Sequence, residues 1–108
     1  MDLEKRAEVR DGVLVLRLMG ELTGPQTAEF KAWATDQVKN APQEVQVDCE
    51  KLHFIDSRGL GCLIYVRKCV TEQEGSMILI NVSGWLRKFL QVTGLEEILC
   101  GTGVEDQA

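Results

Sequence analysis

Three strand-like runs are separated by stretches whose apolar positions recur every three or four residues, and this alternation restricts the possible folds more than any other feature. Val13 to Met19 reads Val-Leu-Val-Leu-Arg-Leu-Met, Val45 to Cys49 alternates apolar with polar, and Met77 to Asn81 reads Met-Ile-Leu-Ile-Asn. Short β-branched and aliphatic runs of this kind suit strands. Between the first two, Thr27, Phe30, Ala34, Val38 and Ala41 share one face of a helix. It begins near Gly24 with Pro25 in its first turn, where a missing N–H costs nothing, and ends before Pro42. Leu60, Leu63, Val66 and Val70 mark a second helix from about Ser57 to Gly75, where a glycine can close the C-terminus. A strand, a crossing helix and a further strand place the two strands parallel. The expected class is α/β, with helices flanking a mixed and mostly parallel sheet.

The sheet is expected to start with an antiparallel edge hairpin, because Asp11-Gly12 is a turn dipeptide and Leu3, Ala7 and Val9 precede it among charges. Leu52-His53-Phe54-Ile55 follows a charged step after the second long strand and reads as a loop. Met77 to Asn81 suits a strand buried on both faces. Ser83 can cap a third helix carrying Trp85, Leu86, Phe89 and Leu90, with the aromatics toward the core, Arg87 and Lys88 toward water, and Gly94 as its end. Leu95 to Leu99 is too short to assign, and Gly101 to Ala108 has little left to pack.

Size and charge narrow the function. At 108 residues the chain is expected to be a single domain that buries roughly 60 to 70% of its unfolded surface. Twelve Lys and Arg against seventeen Asp and Glu give a net charge of −5, so no overall positive field gathers nucleic acid or anionic lipid. The opening Met1-Asp2-Leu3-Glu4-Lys5-Arg6 lacks the apolar core of an export signal, and the apolar runs fall far short of a bilayer span. A cytoplasmic protein is expected. Cys49, Cys62, Cys69 and Cys100 form no C-x-x-C pair, and His53 is the only histidine. The cysteines therefore read as reduced, structural residues, and no metal site or cofactor is expected.

Chemistry concentrates in Ile55-Asp56-Ser57-Arg58-Gly59-Leu60-Gly61, a turn between strand and helix. Ser57 falls where the first helical N–H groups lack partners and the helix dipole is positive. Either Ser57 or Asp56 can cap the helix there. A phosphate on Ser57 can instead be cradled by the same N–H groups. Nucleophilic catalysis needs a base held by an orienting partner, which His53 on the preceding loop does not have. Gly59-Leu60-Gly61 has neither nucleotide-loop spacing, and its glycines read as room for the helix start to approach the sheet. Asp48 and Asp56 suggest a phospho-acceptor aspartate site, but Gly20-Glu21-Leu22-Thr23 supplies one carboxylate where such a site needs several for Mg²⁺.

These residues resemble the STAS domain, the family of bacterial anti-sigma factor antagonists. The likeness runs from about Leu3 to about Leu99 and is carried by Phe54-Ile55-Asp56-Ser57-Arg58-Gly59-Leu60-Gly61, Gly20-Glu21-Leu22 and Val92-Thr93-Gly94-Leu95. It implies a mixed sheet flanked by helices and no catalysis by the chain itself. It further implies that Ser57 is phosphorylated by a partner serine kinase that is also an anti-sigma factor, that the unphosphorylated form binds this partner, and that a serine phosphatase resets the switch. Many relatives carry a second small hydroxyl residue where this chain has Arg58, and an aspartate where it has Thr23.

The expected partner-binding surface comprises Asp56, Ser57, Arg58, Gly59 and Leu60, with Glu21, Leu22, Thr23, Asn81 and Ser83 as neighbours. A different use of the same domain is a regulatory subunit of a lipid or solute transport complex, or of a large signalling assembly, with no phosphorylation.

Overall fold

The computed structural model describes residues 2–39 and 43–101. The elements in chain order are β1 (Leu3–Arg10), β2 (Val13–Leu22), a 3₁₀ turn (Gly24–Gln26), α1 (Thr27–Val38), β3 (Glu44–Ile55), α2 (Ser57–Glu72), β4 (Ser76–Ile80), α3 (Gly84–Thr93) and α4 (Glu96–Cys100). The strands form one sheet in the order β1-β2-β3-β4. β1 and β2 are antiparallel across Asp11 and Gly12, both in the left-handed region, and the other two pairs are parallel. This is the mixed sheet the sequence implies. Ala41 and Pro42, expected at the end of the first helix, and residues 102–108 lie outside the described part.

Alternation in β2 sorts its two faces. Leu14, Leu16, Leu18 and Leu22 are buried in a core that continues through Val45 and Val47 of β3 and Met77 and Leu79 of β4. Phe30, Ala34 and Val38 of α1 complete it with Leu60, Leu63, Val66 and Val70 of α2. Each of the larger side chains contributes about 1.5–3 kcal/mol by leaving water. Cys49, Cys62 and Cys100 are free and buried, and burial pushes the Cys49 thiol up to about 12, so it packs as a small apolar group.

Leu52 to Ile55 is strand, not loop: β3 runs unbroken to Ile55, and two register shifts against β2 disrupt its alternation around Glu50-Lys51 and His53. His53 is thus an exposed strand residue. After α2 it is Glu74 that takes the left-handed conformation (φ 65). Gly75 serves close approach instead, since a Cβ there would lie 2.6 Å from the Gln43 carbonyl oxygen. β4 is the last strand of the sheet among the described residues, and Ile78 and Ile80 are only half-buried, so it is not buried on both faces. Leu95 to Leu99 falls largely in the short helix α4, which packs Leu99 and Cys100 into the core.

The outer sheet face is organised by Asp48, 5% exposed. It accepts from Arg17 Nε at 3.3 Å, Asn81 Nδ2 at 3.0 Å and the Glu50 N–H at 3.0 Å. Glu8 extends the network, 3.4 Å from Arg17 and 3.0 Å from Arg10. Burial would raise the Asp48 carboxyl pKa, but hydrogen bonds from Asn81, the Glu50 N–H and Arg17 outweigh it and hold the pKa below the ordinary value. Asn81 stands at φ 55, a left-handed conformation that asparagine tolerates, so Asp48 fixes the turn between β4 and α3. Asp48→Ala should cost about 1–3 kcal/mol in urea unfolding at neutral pH. A depressed folded-state pKa gives stability that is complete above the unfolded value, about 3.9, and lost as pH falls through the folded value. The difference between wild type and variant should therefore shrink below about pH 4.

Candidate functional site

Parallel pairing brings the C-terminal ends of β2 and β3 side by side, with Glu21 opposite Phe54 and Leu22 opposite Ile55. Both strands then turn outward, β2 into the 3₁₀ turn and β3 directly into α2. Asp56 is the hinge residue, in an extended conformation at φ −101. Its carboxylate accepts from the Gly59 N–H at 2.8 Å and from the Gly24 N–H at 3.0 Å, while its own N–H donates to the Leu22 carbonyl at 3.3 Å. One residue therefore caps α2, holds the 3₁₀ turn and ties both to β2. The Gly59 N–H lowers the Asp56 pKa most, against a smaller rise from burial, and the Gly24 and Arg58 N–H groups and the Arg58 charge lower it further. The carboxylate stays ionised at neutral pH.

Gly59 fits because the helix start touches the sheet: a Cβ there would lie 2.1 Å from the Leu22 carbonyl oxygen. Gly61 has no such role, being exposed with nothing within 4 Å of an added Cβ. The close-packing reading thus holds for the first glycine only.

Ser57 is the first residue of α2 and is exposed. It is not the cap; Asp56 is. This alters the expected phosphate cradle, because the Gly59 and Gly24 amides already donate to Asp56. A group carried by Ser57 would meet the positive end of the α2 dipole and the Arg58 charge rather than those two amides. Arg58 is exposed, and its guanidinium lies over Gly24, where an added Cβ would come 2.7 Å from Nη1.

The other expected site residues divide into surface and support. Leu22, Gly59 and Leu60 are buried and support the loop from within. Thr23 is half-buried; its N–H and Oγ1 reach Gln26 Oε1 at 3.0 and 2.6 Å, which shapes the 3₁₀ turn. Glu21 is half-buried at the end of β2. Asn81 is exposed but gives its amide to Asp48, and Ser83 caps α3 by accepting the Leu86 N–H at 3.4 Å.

An exposed aromatic pair lies outside the set of expected site residues. Phe54 and Trp85 stack at 6.4 Å between centroids with 18° between planes, yet are 50% and 39% exposed. Trp85 was expected in the core. Instead Leu86 and Leu90 are the buried face of α3, and Trp85 lies beside it over the end of β3. Arg87, expected to face water, is half-buried and bonded to Glu96 at 2.7 Å. The hint in the sequence is Phe54 itself, a large apolar residue displaced from the alternation of β3. Among the described residues no group of His, Cys, Asp and Glu could hold a metal ion, and no helix is long and apolar enough to cross a membrane.

Comparison with known proteins agrees with this architecture. The model of the STAS domain matches residues 4–106. The chain is 28% identical over 101 residues to an anti-sigma F factor antagonist of Paenibacillus polymyxa, covering 92% of this chain and 86% of that one. The structure of SpoIIAA, a Bacillus cell fate determinant, in its phosphorylated form superposes with a TM-score of 0.69 at 26% identity, over 96% of each chain. An anti-sigma factor antagonist from Mycobacterium paratuberculosis shares the fold with a TM-score of 0.81 at 20% identity, over 97% of this chain and 90% of that one.

The two glycines at the start of α2 give opposite expectations. Gly59→Ala should destabilise the protein by about 1–3 kcal/mol or more, because the backbone oxygen of Leu22 cannot move aside. Gly61→Ala should leave stability unchanged or raise it by up to about 1 kcal/mol through helix propensity. Chemical denaturation of the pair checks both.

Proposed function

The chain belongs to the STAS domain family, and from that premise we propose that it is an anti-sigma factor antagonist: a single-domain, cytoplasmic binding module, not an enzyme, switched by phosphorylation of Ser57. The observation that carries the reading is the placement of Ser57, exposed at the first position of α2 while Asp56 alone carries the cap. A kinase can reach the hydroxyl, and modifying it removes no hydrogen bond on which the helix start depends.

In this reading the unmodified loop docks against an anti-sigma factor that is also a serine kinase, and a serine phosphatase restores the loop after phosphorylation. Ser57 and Arg58 stand at the centre of the surface, flanked by Glu21, Thr23 and the loop bearing Asn81 and Ser83. The exposed Phe54–Trp85 stack adds apolar area of the kind that anchors protein interfaces. Phosphorylation adds about −1.5 to −2 charges next to the ionised Asp56. The helix dipole and Arg58 offset part of that charge, so the fold persists. The hydrated dianion must be stripped of water for the partner to dock, and binding weakens.

Incubation with each histidine-kinase-like anti-sigma factor of the source organism and ATP should place phosphate on Ser57, located by mass spectrometry. Absence of phosphate with every candidate removes the switch. Ser57→Asp should weaken binding of the cognate partner by about tenfold or more, equivalent to about 1.4 kcal/mol, whereas Ser57→Ala should leave it within about twofold.

A further inference from the structure

β1 is the first strand of the sheet, and its outer side has no partner among the described residues. In an antiparallel pair, residues that exchange backbone hydrogen bonds alternate with residues that do not. The Arg10–Val13 pair closing the two-residue turn, and the Glu21 N–H donating to the Asp2 carbonyl at 3.4 Å, both assign the even-numbered residues of β1 to the β2 side. Leu3, Lys5, Ala7 and Val9 therefore aim their N–H and C=O groups at the open edge. The side chains of Glu4, Arg6, Glu8 and Arg10 stand on the sheet face away from α1, all exposed. Lys5 marks the opposite face, 3.0 Å from Glu29 and over the Trp33 ring of α1.

We propose that this edge is a self-complementary interface, on which β1 of a second copy pairs antiparallel about a two-fold axis through Ala7. Backbone parity requires odd residues to meet odd residues, so the helical layers of both copies fall on one face of a continuous sheet. Charge then selects the register. With Ala7 opposite Ala7, Glu4 faces Arg10 and Arg6 faces Glu8 in both directions, so these four outer-face charges of β1 all meet their opposites. Centring on Arg6 would oppose Arg6 to Arg6 and Glu4 to Glu8. Centring on Glu8 would oppose Glu8 to Glu8 and Arg6 to Arg10. Centring on Lys5 or Val9 leaves one opposite pairing, Glu4 with Arg6 or Glu8 with Arg10, so only the Ala7-centred register opposes all four charges to their opposites.

The same register resolves two loose ends. Val9, 63% exposed, comes to lie against the aliphatic stem of Lys5 of the second copy. Glu4 and Arg6, which have no ion-pair partner among the described residues, both gain one. Because the axis reverses strand direction, the two Ser57 loops point to opposite ends of the joined sheet and stay accessible. The proposal is independent of what those loops bind.

Sedimentation of the full chain at concentrations up to millimolar tests it. Wild type should reach twice its monomer mass of 12.1 kDa, and the dimer should dissociate as salt is raised toward about 1 M, where the screening length falls to about 3 Å. Arg6→Glu alone and Glu8→Arg alone should each be monomeric, and an equimolar mixture of the two should restore a dimer, because the mixed pair again opposes Glu to Arg. Ala7→Pro removes an N–H from the open edge without touching the β2 ladder and should also be monomeric, with an unchanged circular dichroism spectrum. It decides the matter if the charge variants fail to fold. A wild type that stays monomeric, or a dimer that survives both Arg6→Glu and Ala7→Pro, overturns the proposal.

Discussion

The Asp56 carboxylate joins two segments that the chain would otherwise leave loose where β2 and β3 end. Its bonds to the Gly59 and Gly24 amides, at 2.8 and 3.0 Å, tie the first turn of α2 to the 3₁₀ turn after β2. Hydrogen bonds to an ionised acceptor are worth about 1.5–3 kcal/mol, more than a neutral cap supplies. The geometry leaves little slack, since Gly59 touches the Leu22 carbonyl and any side chain there would force the helix off the sheet.

A division of labour follows from this arrangement. Asp56 holds the loop and Ser57 is left outside it, although the two are neighbours in sequence. Had the serine been the cap, modifying it would have removed the bond that fixes the helix start. The side chain at position 57 can therefore change without disturbing the bonds that fix the helix start. Asp48 does similar work on the other face of the sheet, binding Arg17 and Asn81 and so fixing the turn that leads to Ser83 and Trp85.

Much of the fold was legible in the sequence because it depends on periodicity: Leu14, Leu16 and Leu18 on one face of a strand, Leu60, Leu63, Val66 and Val70 on one face of a helix, and Asp11-Gly12 between paired strands. What escaped depends on contacts between segments distant in sequence. The bulges of β3 exist only against β2, so Leu52 to Ile55 reads as loop until the strands are paired. Trp85 has helical spacing with Phe89, yet it lies at the surface, stacked on Phe54. The choice between Asp56 and Ser57 as cap could not be made locally, because Gly24, 32 residues away, supplies the second donor.

The carbon-13 titration of the Asp56 carboxyl, followed together with the amide protons of Gly24 and Gly59, tests the central claim most directly. A midpoint below the ordinary aspartate value, with both glycine amides moving through the same transition, is the expected result. A midpoint at or above the ordinary value, or glycine amides indifferent to it, would contradict the account.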